Sequence, residues 1–99
     1  MRQGFTSIHR VDSEGLPSGG ISQSNGCLMS WQNGPLAGDD GFRSRPNGCF
    51  VEDVIEMAID RLDWYQNVCE GRFECAENAA AISSLNDALE SLMARTKRR

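Results

Sequence analysis

From Phe50 onward the apolar residues fall into a helical rhythm. Val51, Val54, Ile55, Ala58, Leu62 and Tyr65 recur at i, i+3, i+4, i+7, i+11 and i+14, which sets them along one stripe of a helix. The pattern predicts a first helix of about 16 to 18 residues. Asn47 is its expected cap, and Glu52 and Asp53 suit the positive end of its dipole. A second helix is predicted from near Cys75 to beyond Met93, with Ile82, Leu85, Leu89 and Leu92 at the alternating three- and four-residue steps of a coiled-coil-like seam. Ala79, Ala80, Ala81 and Ala88 leave its other sides narrow enough for close helix approach. The polar connection at 66–74, which contains Gly71, has a length suited to an antiparallel helical hairpin.

The first half of the chain has a different texture. It carries most of the glycines and all three prolines, with Gly-Leu-Pro-Ser-Gly-Gly at 15–20 and Asn-Gly-Pro-Leu at 33–36, so only short strands fit between the turns. Strands are predicted at 5–11 and 27–32. In the second, Cys27, Met29 and Trp31 alternate with Leu28, Ser30 and Gln32. The expected fold is α+β: a small N-terminal antiparallel sheet or hairpin over 1–47, then a helical hairpin over 48–99, together one domain.

Size adds an expectation of self-association. A chain of 99 residues buries only about 60 to 65% of its unfolded surface, a thin core for a monomer with ten glycines. Phe50, Met57 and Trp64, spaced by seven, form a further apolar line on the first helix, and Met93 extends the apolar side of the second. Either the sheet covers this line or another subunit does. No apolar run approaches the roughly 20 residues of a membrane helix, and the N-terminus lacks signal-peptide order, so a soluble intracellular chain is expected.

Charge changes the picture once it is divided along the chain. The net value is −4, which argues against coating a long nucleic acid. By segment the charge is zero over 1–49, −8 over 50–90, where only Arg61 and Arg72 oppose the acids, and +4 over 91–99. The basic end, Arg95-Thr96-Lys97-Arg98-Arg99, is either a set of cations favourable to a helix C-terminus or an anion site. In a continuous helix Arg95 and Arg99 are i and i+4, spaced to hold adjacent phosphates with forked guanidinium donors.

Signs of catalysis and of metal binding are sparse. His9 is the single histidine, and G-x-S-x-G, P-loop and G-x-G-x-x-G patterns are all missing. Asp39-Asp40 reads as part of a Gly-rich loop and Glu52-Asp53 as a helix start. Cys27, Cys49, Cys69 and Cys75 include no C-x-x-C, so reduced structural thiols are expected and a zinc site is not, although Cys69 and Cys75 flank the hairpin tip closely enough to cross-link on oxidation. No cofactor is expected. Trp31, Trp64, Tyr65 and Phe73 are candidate base-stacking surfaces, and Asn78 a candidate reader of a base or ribose edge. In a single hairpin Asn78 and Arg95 lie about 25 Å apart along one helix, so a pocket using both requires two hairpins to meet.

Several ordered motifs resemble the phage Thoeris anti-defence 1 family. They are His9-Arg10-Val11-Asp12, Gly15-Leu16-Pro17-Ser18-Gly19-Gly20 and Trp31-Gln32-Asn33-Gly34-Pro35-Leu36 in the first half. In the second are Pro46-Asn47-Gly48-Cys49-Phe50-Val51-Glu52-Asp53-Val54-Ile55, Arg61-Leu62-Asp63-Trp64-Tyr65-Gln66, and Phe73-Glu74-Cys75-Ala76-Glu77-Asn78-Ala79 continuing to Ala94-Arg95-Thr96. The resemblance covers nearly the whole chain.

It implies a non-catalytic sponge acting in the host bacterial cytoplasm. Such a protein sequesters glycocyclic ADP-ribose isomers made by Thoeris TIR enzymes, without cleaving them, and blocks effector activation. The hairpin is similar to that of phage anti-CBASS sponges, some of which hold cyclic di- or trinucleotides in separate pockets of a hexamer. Self-assembly from dimers, as a trimer of dimers, is implied with it. The resemblance places the stacking aromatic at Tyr65, with Trp64 as the alternative because the segment 66–72 is longer than the family pattern; the pocket amide falls at Asn78 and the phosphate-binding arginines at Arg95 and Arg99. Cys49 stands where a small residue is expected. Two other classes stay open: an enzyme cleaving a cyclic nucleotide, separated by turnover with excess substrate, and a protein-interaction module using the acidic hairpin, separated by pull-down without nucleotide binding.

Overall fold

A computed structural model describes residues 4–34 and 46–98. The Asp39-Asp40 pair and Arg99 lie outside the described residues. The chain divides into two compact units, Met1–Phe50 and Val51–Arg99.

The first unit is a three-stranded antiparallel meander of β1 (Thr6–Val11), β2 (Pro17–Ser24) and β3 (Cys27–Asn33), in the order β1-β2-β3. Asp12 makes the first turn, its Oδ1 accepting from the backbone N–H groups of Glu14 at 2.8 Å and Leu16 at 3.0 Å. Asn25-Gly26 makes the second, between the paired ends Ser24 and Cys27, with Gly26 at φ +83°. The central strand β2 was not among the sequence-predicted strands, because Pro17 and Gly19-Gly20 read as turn residues. They fit here for separate reasons. Pro17 is the first residue of its strand, where a missing N–H is tolerated. Gly20, the buried residue of β2, pairs with His9 and Trp31, and a Cβ there would run into the Ile8 carbonyl. The Trp31 indole donates to Ser22 Oγ at 2.8 Å, and Ser22 in turn shares a hydrogen bond with Ser7 at 2.7 Å, linking all three strands.

Asn47 does not cap the first helix. Its side chain instead pairs with the backbone of Asn33, accepting from N–H at 2.7 Å and donating to the carbonyl at 2.9 Å. Gln32 Oε1 accepts from the N–H groups of Asn47 and Gly48, and Cys49 forms a parallel bridge with Trp31. The segment just before the helix is therefore bound to β3. A single amide side chain satisfies a donor and an acceptor there, which a helix N-terminus, offering donors only, would not use.

The second unit is an antiparallel hairpin of α1 (Val51–Gly71) and α2 (Ala76–Lys97). Helical geometry in α1 holds to residue 67; Val68 turns extended, and Cys69, Glu70 and Gly71 follow with left-handed φ of 54°, 59° and 83°. Half-buried residues along α1 are Glu52, Val54, Ile55, Ala58, Ile59, Leu62, Gln66, Val68 and Gly71. The predicted stripe holds from Val54 to Leu62; Val51 at its start is 52% exposed, and Gln66 rather than Tyr65 continues it. Opposite, Ile82, Leu85, Leu89 and Leu92 form the expected seam. Ala81 joins them, whereas Ala79, Ala80 and Ala88 are exposed. Cys75 is the N-cap of α2, its Sγ accepting from Asn78 N–H at 3.4 Å. Among the described residues no hydrophobic side chain is fully buried, and Met57 and Trp64 of the additional apolar line are 50% and 47% exposed.

Candidate functional site at the hairpin tip

The break in α1 creates a concave surface. Trp64, Tyr65, Val68, Cys69, Phe73 and Asn78 line a pocket of about 320 Å³ at the tip of the hairpin. Trp64 and Tyr65 are consecutive and diverge around the helix; their rings meet edge to face with centroids 5.3 Å apart. Val68 and Cys69 close one side because the chain leaves the helix there. Tyr65 and Phe73 remain 39% and 55% exposed, so aromatic surface is open to a ligand.

Positive charge borders these rings. The Arg61 guanidinium carbon lies 4.4 Å from the Trp64 ring centroid and 4.9 Å from that of Tyr65, and the Arg72 carbon lies 5.8 Å from that of Phe73. The two basic residues of the acidic segment thus both sit on tip aromatics. Arg61 precedes Trp64 and Tyr65 by three and four residues, a helical spacing that made this contact legible in the sequence.

Asn78 is held by an amide network. Gln66 Oε1 accepts from Cys75 N–H at 3.0 Å and from Asn78 Nδ2 at 3.3 Å, while Gln66 Nε2 donates to the Cys75 carbonyl at 3.1 Å. Sequence reasoning assigned Gln66 to the connecting loop and missed this role, along with those of Arg61, Val68, Cys69 and Arg72.

The sequence-expected site residues are only partly gathered. Tyr65, Trp64 and Asn78 share the tip pocket. Arg95 lies in the last turn of α2 and forms an ion pair with Glu52, in the first turn of α1, at 3.8 Å. It therefore occupies the opposite end of the hairpin. Within one copy, the described chain offers stacking surface and a polar amide at one end and the arginine at the other.

Comparison with known proteins places this hairpin. The family model for the Acb2/Tad1 hairpin domain matches residues 26–97. The chain belongs to that family. A curated relative, "Thoeris anti-defense 1" of Bacillus phage SBSphiJ7, is 47% identical over 73 residues, covering 74% of this chain and 46% of the relative. The chain thus spans about half the length of the relative it matches. Among the described residues no helix is long and apolar enough to cross a membrane.

Proposed function

We propose that this Acb2/Tad1 hairpin protein is a phage anti-defence sponge that captures glycocyclic ADP-ribose signals inside the infected host cell and holds them without cleavage. The observation that carries the reading is the convergence of Tyr65, Trp64 and Asn78 on one tip pocket in a chain of this family. An aromatic, partly enclosed surface with a single amide suits a nucleobase, which needs a stacking face and a hydrogen-bonding edge. A sponge requires affinity and enclosure, with no general base or nucleophile.

The separation of Arg95 from Asn78 shapes the rest of the proposal. A dianionic ligand seated on a tip receives phosphate-binding arginines, Arg95 and Arg99, from a second copy, so the complete pocket is formed between subunits. The assembly proposed with it is built from dimers, as a trimer of dimers; the separation of Arg95 from Asn78 and the scarcity of buried apolar surface support association between copies. Cyclic di- and trinucleotides are proposed as a second ligand class, held in pockets separate from the first.

Incubating the protein with glycocyclic ADP-ribose, measuring free ligand, then denaturing the protein and chromatographing what is released tests the reading. Depletion followed by recovery of unaltered nucleotide is the expected result. Recovery of a cleaved product would make the protein an enzyme, and undepleted ligand would reject capture. Native mass spectrometry with a mixture of cyclic nucleotides reports stoichiometry and any second class.

A further inference from the structure

The amide network at the tip fixes more than a position. Cys75 presents an N–H, which can only donate, and a carbonyl, which can only accept, and both engage the Gln66 side chain. That pairing determines which end of the Gln66 amide is oxygen: Oε1 faces the N–H and Nε2 the carbonyl. The same Oε1 faces Asn78, so the Asn78 group turned toward it must be the donor Nδ2. Its Oδ1 has no hydrogen-bond partner among the described residues, and Asn78 lines the pocket. A flipped Asn78 would set two oxygens against each other, so the orientation is passed from the backbone of Cys75 through Gln66 to Asn78.

We propose that Gln66 is a positioning residue that holds the Asn78 amide with Oδ1 available to the ligand, so that the tip pocket selects a base edge carrying an amino donor, such as adenine, over a keto edge such as hypoxanthine. An acceptor at this point takes the exocyclic amine of adenine, and the second Nδ2 hydrogen can meet a neighbouring ring nitrogen of the same edge. A keto oxygen at that position opposes Oδ1 and leaves it without a partner. Because the surrounding lining is largely apolar, no other side-chain amide compensates. The selectivity rests on the nucleotide reading above; the amide orientation does not.

Calorimetry with glycocyclic ADP-ribose and its hypoxanthine analogue tests the selectivity. The unaltered protein should bind the adenine form at least about tenfold more tightly. Gln66→Ala should bring the ratio close to one, by freeing Asn78 to rotate. Gln66→Glu keeps acceptors for Cys75 N–H and Asn78 Nδ2 but sets a carboxylate oxygen against the Cys75 carbonyl in place of the Nε2 donor, so it should loosen the clasp and lower the ratio part of the way toward one. Equal binding of the two nucleotides by the unaltered protein, or a preference that survives Gln66→Ala, overturns the selectivity while leaving nucleotide capture standing. Capture of neither overturns the nucleotide reading itself. Orientation is read without ligand: the Asn78 side-chain NH₂ signals in NMR should be protected from solvent exchange in the unaltered protein, and should lose that protection in Gln66→Ala. Unprotected signals in the unaltered protein overturn the clasp.

Discussion

The Arg95 guanidinium lies 3.8 Å from the Glu52 carboxylate, joining the last turn of α2 to the first turn of α1. The pair marks the end of the hairpin remote from Asn78, and its carboxylate competes with an anionic ligand for Arg95. Glu52→Gln should therefore tighten glycocyclic ADP-ribose capture, and Arg95→Ala should weaken it by about 1.5 to 3 kcal/mol, the scale of a charge-assisted hydrogen bond. The side chains are 44% and 26% exposed, so solvent screens the pair and either change should alter stability by less than about 1 kcal/mol. Calorimetry and urea unfolding measure the two effects separately; unchanged affinity in Arg95→Ala removes that arginine from the site.

Tyr65 and Trp64 can be separated as stacking surfaces. Tyr65→Phe should retain capture, because the ring remains, whereas Tyr65→Ala should weaken it by about 1 to 3 kcal/mol, the range for loss of a base-aromatic stack. Equilibrium dialysis checks this. A loss confined to Trp64→Ala would transfer the role to Trp64.

Thermal unfolding should depend on protein concentration. With no hydrophobic side chain fully buried among the described residues, Leu85 and Leu89 reach only half-burial at the hairpin seam. Association that covers further apolar surface stabilises the folded chain by mass action, so Tm should rise as concentration rises. A Tm constant over a hundredfold range would indicate a monomer, and sedimentation would assign the assembly size.

Glu70 adopts a left-handed conformation with φ 59°, although it carries a side chain. Such a residue costs about 1 to 2 kcal/mol, partly offset in a glycine by the greater freedom of its unfolded state. Glu70→Gly should stabilise the hairpin by about 0.5 to 1 kcal/mol in urea unfolding. A loss of stability would show that the Glu70 side chain makes a compensating contribution.

Gly20 is constrained in the opposite sense. An added Cβ would collide with the Ile8 carbonyl, and that oxygen belongs to a paired strand with little room to retreat. Gly20→Ala should cost more than about 2 kcal/mol and weaken the β1 pairing. Circular dichroism and amide exchange of β1 would register the change; unaltered protection would mean that the strand shifts freely.

The helices were legible because their apolar positions repeat with the period of the structure they form. Ile82, Leu85, Leu89 and Leu92 face α1 as their spacing requires. Cys75 begins α2 as expected. The sheet was harder to read, since β2 is built from residues whose usual signal is a turn, and their use depends on what lies across the sheet. Asn25-Gly26 was a turn signal in plain view and, between Ser24 and Cys27, would have supported a strand on its N-terminal side.

The sequence by itself determined two helices, a seam, the aromatic and amide residues available for a site, and an uneven charge. Only the tertiary structure decided that Asn47 is bound to β3, that Gln66 replaces Tyr65 on the inner stripe, and that Gln66 fixes Asn78. The physical reason is common to all three. Apolar burial follows local periodicity, while a polar side chain goes to whichever unpaired donor or acceptor the folded backbone brings within reach, and residues 14, 9 and 12 positions away cannot be identified by spacing alone.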